Sequence, residues 1–298
     1  MLKRPAFLKE NDQVAVIATA KNFSAEQLET GLAMLEEWRL KVCPGKNLYK
    51  EDHQFAGTDK ERLKDLQHAL DDKNIRAIFC VRGGYGTNRI IDQVDMRQFR
   101  QSPKWLAGFS DVTVLHCLLQ REGFQSIHGT MPILFGRDSP ASLESLRKTL
   151  FGEEIQYEIK TDPLNKKGKC EGILIGGNLS ILQSMIGTKT DFDSRKKILF
   201  IEEIDEYLYH IDRMMIHLKR AGKLKDLSGL VVGHLTDMKD NEAAFGKNVK
   251  EIILESVKDY KFPVCFNFPS GHEKENMALR FGAKVRLHIG REKSLLSF

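Results

Sequence analysis

The sequence predicts an α/β protein in two parts, and three observations carry that expectation. Short apolar runs alternate with amphipathic segments through the first half, the rhythm of a parallel sheet wrapped by helices. The pattern lapses into polar, proline- and glycine-containing sequence at residues 161–169, Thr-Asp-Pro-Leu-Asn-Lys-Lys-Gly-Lys. Beyond it the strand-like and helical runs resume. The expected division is therefore an N-terminal domain over 1–160, a linker over 161–169 and a C-terminal domain over 170–298.

Gln13-Val14-Ala15-Val16-Ile17 reads as the first strand. Ser24 with Gln27 forms a capping box, Phe23 with Leu28 a hydrophobic staple, and Leu28, Leu32 and Leu35 recur on one helical face. A second box, Thr58 with Glu61, opens a helix carrying Leu63, Leu66 and Leu70, which leads into the strand 75–81. Trp105–Phe109 and Gln125–His128 read as further strands, separated by an apolar helix over 112–119. In the second half, strands are expected over 172–175, 198–201, 230–232 and 264–268, and helices over 207–221 and 249–260.

With 298 residues, 41% hydrophobic and 29% charged, the chain can bury a substantial core. Its 46 basic and 41 acidic residues leave a net charge of +5, and no basic block of the kind that neutralises nucleic-acid phosphates occurs. No run approaches the roughly 18 apolar residues that span a bilayer, and Asn11, Asp12 and Gln13 interrupt any signal-like apolar stretch. The five cysteines are widely spaced, without a Cys-x-x-Cys pair or close Cys/His spacing. Reduced thiols in a cytoplasmic protein, without a metal or cofactor and without a nucleic-acid or membrane partner, are the expectation.

Two segments carry potential chemistry. In Leu106-Ala107-Gly108-Phe109-Ser110-Asp111-Val112 a strand ends in a serine as an apolar helix begins, which suits an exposed nucleophile beside unpaired helix amides. A serine or aspartate there equally serves as a helix cap, and Val112 replaces the second glycine of the Gly-x-Ser-x-Gly signature. Val81-Arg82-Gly83-Gly84-Tyr85-Gly86-Thr87 follows another strand, and its three glycines allow backbone amides to approach an anion or an oxyanion. It lacks the Gly-Lys-Ser/Thr of a phosphate loop.

A serine nucleophile needs a base, and the base an orienting acceptor. Of nine histidines, His272 in the loop after an apolar strand is best placed, with His128 and His234 as rivals. For the acid, the apolar run 198–201 emerges at Glu202, followed by Glu203, Asp205 and Glu206.

Taken together, these blocks resemble the LD-carboxypeptidases, serine peptidases of murein recycling, and the related microcin C self-immunity peptidases. The resemblance runs through Pro5–Asp12, Phe55–Asp59, Arg82–Gly86, Gly108–Asp111, His128-Gly129, Gly176–Leu179, Glu202, Ile211–Arg213 and Gly271-His272 with Asn276. It implies a flavodoxin-like N-terminal parallel-sheet domain, a smaller swivelling C-terminal domain and an active site in the cleft between them. It also implies a homodimer, and a triad of Ser110 as nucleophile, Glu202 as orienting acid and His272 as general acid and base, with Glu203 as the neighbouring alternative. The backbone amides of Gly84 and Asp111 are the expected oxyanion hole. The implied substrate is a murein tetrapeptide that loses its terminal D-alanine; cleavage of an aminoacyl-nucleotide conjugate is the alternative, for which Trp38 and Trp105 offer no loop-borne platform. Arg82 and Arg89 flank the glycine turn but remain unassigned as carriers of a substrate carboxylate. The chain departs from the family at Ala18–Phe23, where a proline-serine turn is common, and at Thr130 and Arg280, where proline is usual.

Overall fold

The computed structural model describes residues 2–298. In chain order the strands are β1 (Gln13–Ile17), β2 (Lys41–Pro44), β3 (Ile75–Cys80), β4 (Trp105–Gly108), β5 (Ser126–His128), β6 (Gln156–Lys160) and β7 (Gly168–Asn178). They continue with β8 (Lys197–Ile204), β9 (Gly229–Thr236), β10 (Val264–Cys265), β11 (Leu279–Phe281), β12 (Lys284–Ile289) and β13 (Lys293–Ser297). The helices are α1 (Ala25–Glu37), α2 (Asp59–Asp71), α3 (Arg97–Gln101), α4 (Thr113–Arg121), α5 (Pro140–Phe151), α6 (Leu179–Met185), α7 (Leu208–Arg220) and α8 (Val249–Val257).

Two sheets organise these elements. The first has the order β11-β5-β4-β3-β1-β2, with β1 to β5 parallel and β11 antiparallel on the edge. The second has the order β10-β9-β8-β7-β12-β13-β6, parallel from β7 to β10 and antiparallel from β12 outward. The second sheet begins before the 161–169 segment, with β6, and the first is completed after it, by β11.

Strand periodicity explains the layering. Along β1, Val14 and Val16 point to the face covered by Leu28 and Leu35 of α1 and Leu143, Leu146 and Leu150 of α5. Ala15 and Ile17 point to the opposite face, against Leu66 of α2, Phe99 of α3 and Leu115 of α4. That second core is continuous with Leu199 and Ile201 of β8, Met214 and Leu218 of α7 and Ile253 of α8. Each fully buried leucine, isoleucine or phenylalanine in it contributes about 1.5–3 kcal/mol. A third cluster joins Phe200 and Val231 to Leu279 and Phe281.

The expected capping boxes form: Ser24 N donates to Gln27 Oε1 at 3.0 Å, and Thr58 N to Glu61 Oε2 at 2.9 Å. The strand expected over 264–268 shortens to β10, because Phe266 N donates to the Asn165 side chain at 2.7 Å and Asn267 turns to φ 61°. The pattern reading did not anticipate β2, β6, β11 to β13, α3, α5 or α6. The alternation along β12 does bury every second residue, as an antiparallel strand with one covered face should.

Candidate active site

Ser110 follows β4 at the carboxyl end of the first sheet, where open parallel sheets place ligands. It sits at φ 61°, a left-handed conformation that a serine adopts under constraint. The neighbouring glycines make room for that turn. A Cβ on Gly108 would lie 2.9 Å from Val112 Cγ2, and one on Gly83 would lie 2.9 Å from Ser110 Cβ and 3.0 Å from its Oγ. The glycine turn after β3 therefore rests directly on the serine, and the 3₁₀ turn Ser110–Val112 runs on into α4. The Asp111 side chain fastens the two segments, since its Oδ2 accepts from Thr87 N at 2.9 Å. Burial holds the Asp111 carboxyl above its usual pKa despite bonds from Thr87.

The turn is braced from below by Arg62, whose buried guanidinium donates to Thr19 O at 2.6 Å and Gly86 O at 2.9 Å. Arg89, one of the two arginines flanking the turn, pairs with Asp59 at 2.9 Å. Arg82 meets no carboxylate among the described residues and donates to Asn22 O at 2.8 Å.

The second half supplies a histidine and its acceptor. His272 Nδ1 lies 2.6 Å from Glu202 Oε2, and the His272 ring packs on Phe109 with centroids 4.9 Å apart, beside Ser110. Glu202 is fully buried, while the His272 side chain keeps 16% of its surface. Both Glu202 and Glu203 are buried because β8 is covered on both faces, with Ile198 and Phe200 in one core and Leu199 and Ile201 in another. Glu203 faces elsewhere, accepting from Asn178 Nδ2 and Ser180 N, each at 2.7 Å. Burial, with the adjacent Glu202 charge, raises its pKa to about 7. Burial alone would lower the pKa of His272, yet the charge and hydrogen bond of Glu202, aided by Glu203 and Asp138, carry it above its ordinary 6.5.

The loop that presents His272 is tied on several sides. Asn276 Oδ1 accepts from Ser270 Oγ at 2.9 Å and Gly271 N at 3.1 Å, while Ser142 and Ser145 of α5 accept from the backbone of Asn276 and Ala278. Gly271, at φ 132°, allows the loop to pass Glu202: a Cβ there would lie 3.1 Å from Glu202 Oε2.

Among the described residues neither rival histidine bonds to Glu202. His234 Nε2 meets Glu275 O at 2.8 Å. His128 is fully buried among Phe109, Phe200 and Phe281 with neither ring nitrogen partnered among the described residues, and burial drives its pKa well down. Neither the Ser110 hydroxyl nor His272 Nε2 has a hydrogen-bond partner among the described residues. The two sheets meet at this point, for Asn178 N donates to Thr113 Oγ1 at 3.0 Å at the start of α4. Sequence reasoning missed Asp111 as a side-chain tie and the α5 serines as anchors; Ser-x-x-Ser-x-x-Ser at 139–145 is a helical spacing that marks one face.

A strained serine on a strand-to-helix turn, next to a histidine bonded to a buried glutamate, on two α/β sheets, is the layout of a serine-type hydrolase. Family models narrow that class: the LD-carboxypeptidase N-terminal domain matches residues 14–129 and the LD-carboxypeptidase C-terminal domain matches residues 171–287. The chain belongs to the LD-carboxypeptidase family, and it is a carboxypeptidase enzyme of the serine peptidase type. It is 36% identical to the probable murein peptide carboxypeptidase of Bacillus subtilis over 98% of this chain and 94% of that protein. It is 31% identical to the murein tetrapeptide carboxypeptidase of Pseudomonas aeruginosa over 94% of each. Among solved structures, the muramoyltetrapeptide carboxypeptidase of Oxalobacter formigenes superposes with a TM-score of 0.88 at 28% identity, covering 96% of this chain and 98% of that one. The microcin C7 self immunity protein MccF, in its wild-type apo state, shares the fold with a TM-score of 0.86 at 22% identity, over 100% and 98% of the two chains.

Proposed function

We propose that this protein is an LD-carboxypeptidase that releases the terminal D-alanine of murein tetrapeptide during peptidoglycan recycling in the cytoplasm, acting as a homodimer. The observation that carries the reading is the 2.6 Å contact between His272 and buried Glu202 beside a serine held at φ 61°. His272 takes the Ser110 proton as the hydroxyl attacks the scissile carbonyl, and Glu202 holds the imidazole and stabilises the imidazolium. The oxyanion rests on the backbone amides of Gly84 and Asp111, and the closeness of Gly83 to Ser110 supports that placement. His272 then protonates the departing D-alanine, and water, activated by the same base, hydrolyses the acyl-enzyme. Substrate binding aligns Ser110 with His272 Nε2, as catalytic bonds often tighten only in the complex.

Mass spectrometry of a murein tetrapeptide incubated with the wild type and with Ser110→Ala tests the reading. Loss of one D-alanine with the wild type alone is expected; a surviving tetrapeptide overturns the substrate, and equal cleavage by both overturns Ser110.

One observation favours a second substrate class. The tryptophans offer no base platform, since Trp105 is fully buried in β4, but Tyr85 in the glycine turn is 49% exposed next to Gly84. A purine could stack there, and hydrolysis of an aminoacyl sulfamoyl nucleoside, measured beside the tetrapeptide, decides between the two.

A further inference from the structure

One polar groove next to the catalytic centre is unexplained by the triad. It encloses 340 Å³ between the first turns of α1, the segment 133–137 and Arg82. Its position is set by two chain neighbours: Arg82 directly precedes Gly83, which rests on Ser110, and Arg137 directly precedes Asp138, whose charge acts on His272.

All four polar side chains that line it offer donors. Arg82 spends one nitrogen on Asn22 O, and the rest of its guanidinium is free among the described residues. Arg137 is exposed and makes no ion pair within the described residues. Gln27 uses its oxygen in the α1 capping box, which leaves its amide nitrogen available, and Thr30 adds a hydroxyl. Ile133 and Leu134 supply an apolar wall, and no acidic side chain lines the groove. The carboxyl of Asp138, next to Arg137 in the chain, is engaged by Thr130 Oγ1. Burial already lowers the pKa of Arg82, so an anion arriving there recovers a charge interaction that the fold leaves unmade.

We propose that Arg82 and Arg137 form the site that grips a carboxylate of the peptide substrate, in a groove whose walls continue along the chain into Gly83 at Ser110 and Asp138 near His272. The inference rests on the carboxypeptidase reading above and deepens it. Two arginine forks with an amide and a hydroxyl match the two oxygens of a carboxylate, which an uncharged peptide end does not offer. The carboxylate comes either from the terminal D-alanine or from the side chain of the diamino acid before it.

The test uses the wild type, Arg82→Gln, Arg137→Gln and Arg137→Lys. Each is assayed on a tetrapeptide ending in free D-alanine, on its D-alaninamide counterpart, and on a pair differing only in diaminopimelate against lysine at the third position. The wild type should prefer the carboxylate-bearing peptide in one of these pairs by roughly tenfold to a hundredfold in kcat/KM. Which pair shows it identifies the carboxylate. Both Gln variants should lose most of that preference, chiefly through KM, with a loss on the charged peptide roughly tenfold or more greater than on the neutral one. Arg137→Lys should recover part of it. A preference that survives in both Gln variants overturns the site, as does an equal loss on charged and neutral peptides. Wild type that releases D-alanine from none of the peptides overturns the carboxypeptidase reading itself, and the site with it.

Discussion

Ser110 occupies a backbone conformation that costs about 1 kcal/mol or more, and its surroundings impose it. Gly83 is the sharpest constraint, because an added methyl would meet Ser110 Cβ at 2.9 Å and Asp111 N at 3.2 Å. Gly83→Ala is therefore expected to lower kcat strongly while the protein remains folded, measured by D-alanine release alongside circular dichroism. At His272 the raised pKa sets the pH dependence. The general base must be neutral, so kcat/KM should fall as pH drops through a value above 6.5. Glu202→Gln removes the charge that raises it. That variant should lose activity by about a thousandfold or more, and its acidic limb should move to lower pH. An unchanged limb would mean that Glu202 does not act on His272. The sequence pointed to Ser110, Glu202 and His272 as candidates, but it had no means to exclude His128 and His234. Only packing does so, by sealing His128 among aromatic rings and turning His234 to Glu275.

At the scale of elements, the loop 266–278 and strand β8 place the histidine and the acid. Both faces of β8 are covered, so two successive glutamates are buried there, and alternation along the strand could not choose between Glu202 and the neighbouring Glu203. Asn276→Ala would leave Gly271 N without its acceptor and unfasten the loop from Ser270. Destabilisation by about 1–3 kcal/mol is expected, with a fall in kcat larger than in Ser142→Ala, checked by thermal melts and steady-state kinetics. A second prediction concerns α2. Its carboxyl end is closed by the buried amine of Lys104, which donates to Ala69 O at 3.1 Å, Leu70 O at 3.0 Å and Asp72 O at 2.6 Å. Lys104→Met should cost about 1–3 kcal/mol without touching activity at low temperature. The α1 and α2 boundaries were legible because capping chemistry is local. The antiparallel strands were not, since β11 owes its existence to β5 and β13 to β6 and β12.

For the whole molecule the junction between the two sheets matters most. Gly177, at φ 143°, brings β7 so near α4 that a Cβ would lie 2.3 Å from Thr113 Oγ1, and Thr113, Asn178 and Glu203 bond in series across the junction. Gly177→Ala should force the halves apart, lowering both the melting temperature and kcat, and limited proteolysis should open the 161–169 segment. Preserved activity would show that the Glu202–His272 pair keeps its place without that close approach. The core that spans both halves, from Leu115 of α4 to Leu199 and Met214, resists such separation.

By itself the sequence determined what local chemistry can encode: alternating strands and helices, their caps, the glycine turn, the serine at a strand end and the pool of bases and acids around it. It also carried the resemblance that names the family. Tertiary structure alone decided which histidine meets which glutamate, since those residues lie on separate elements and the 2.6 Å contact depends on a strand covered on both faces and a tethered loop. It alone revealed that Arg89 is spent on Asp59 while Arg82, without an ion pair among the described residues, lines a groove. Partner choice among charged groups is a matter of distance through space, which no spacing along the chain contains.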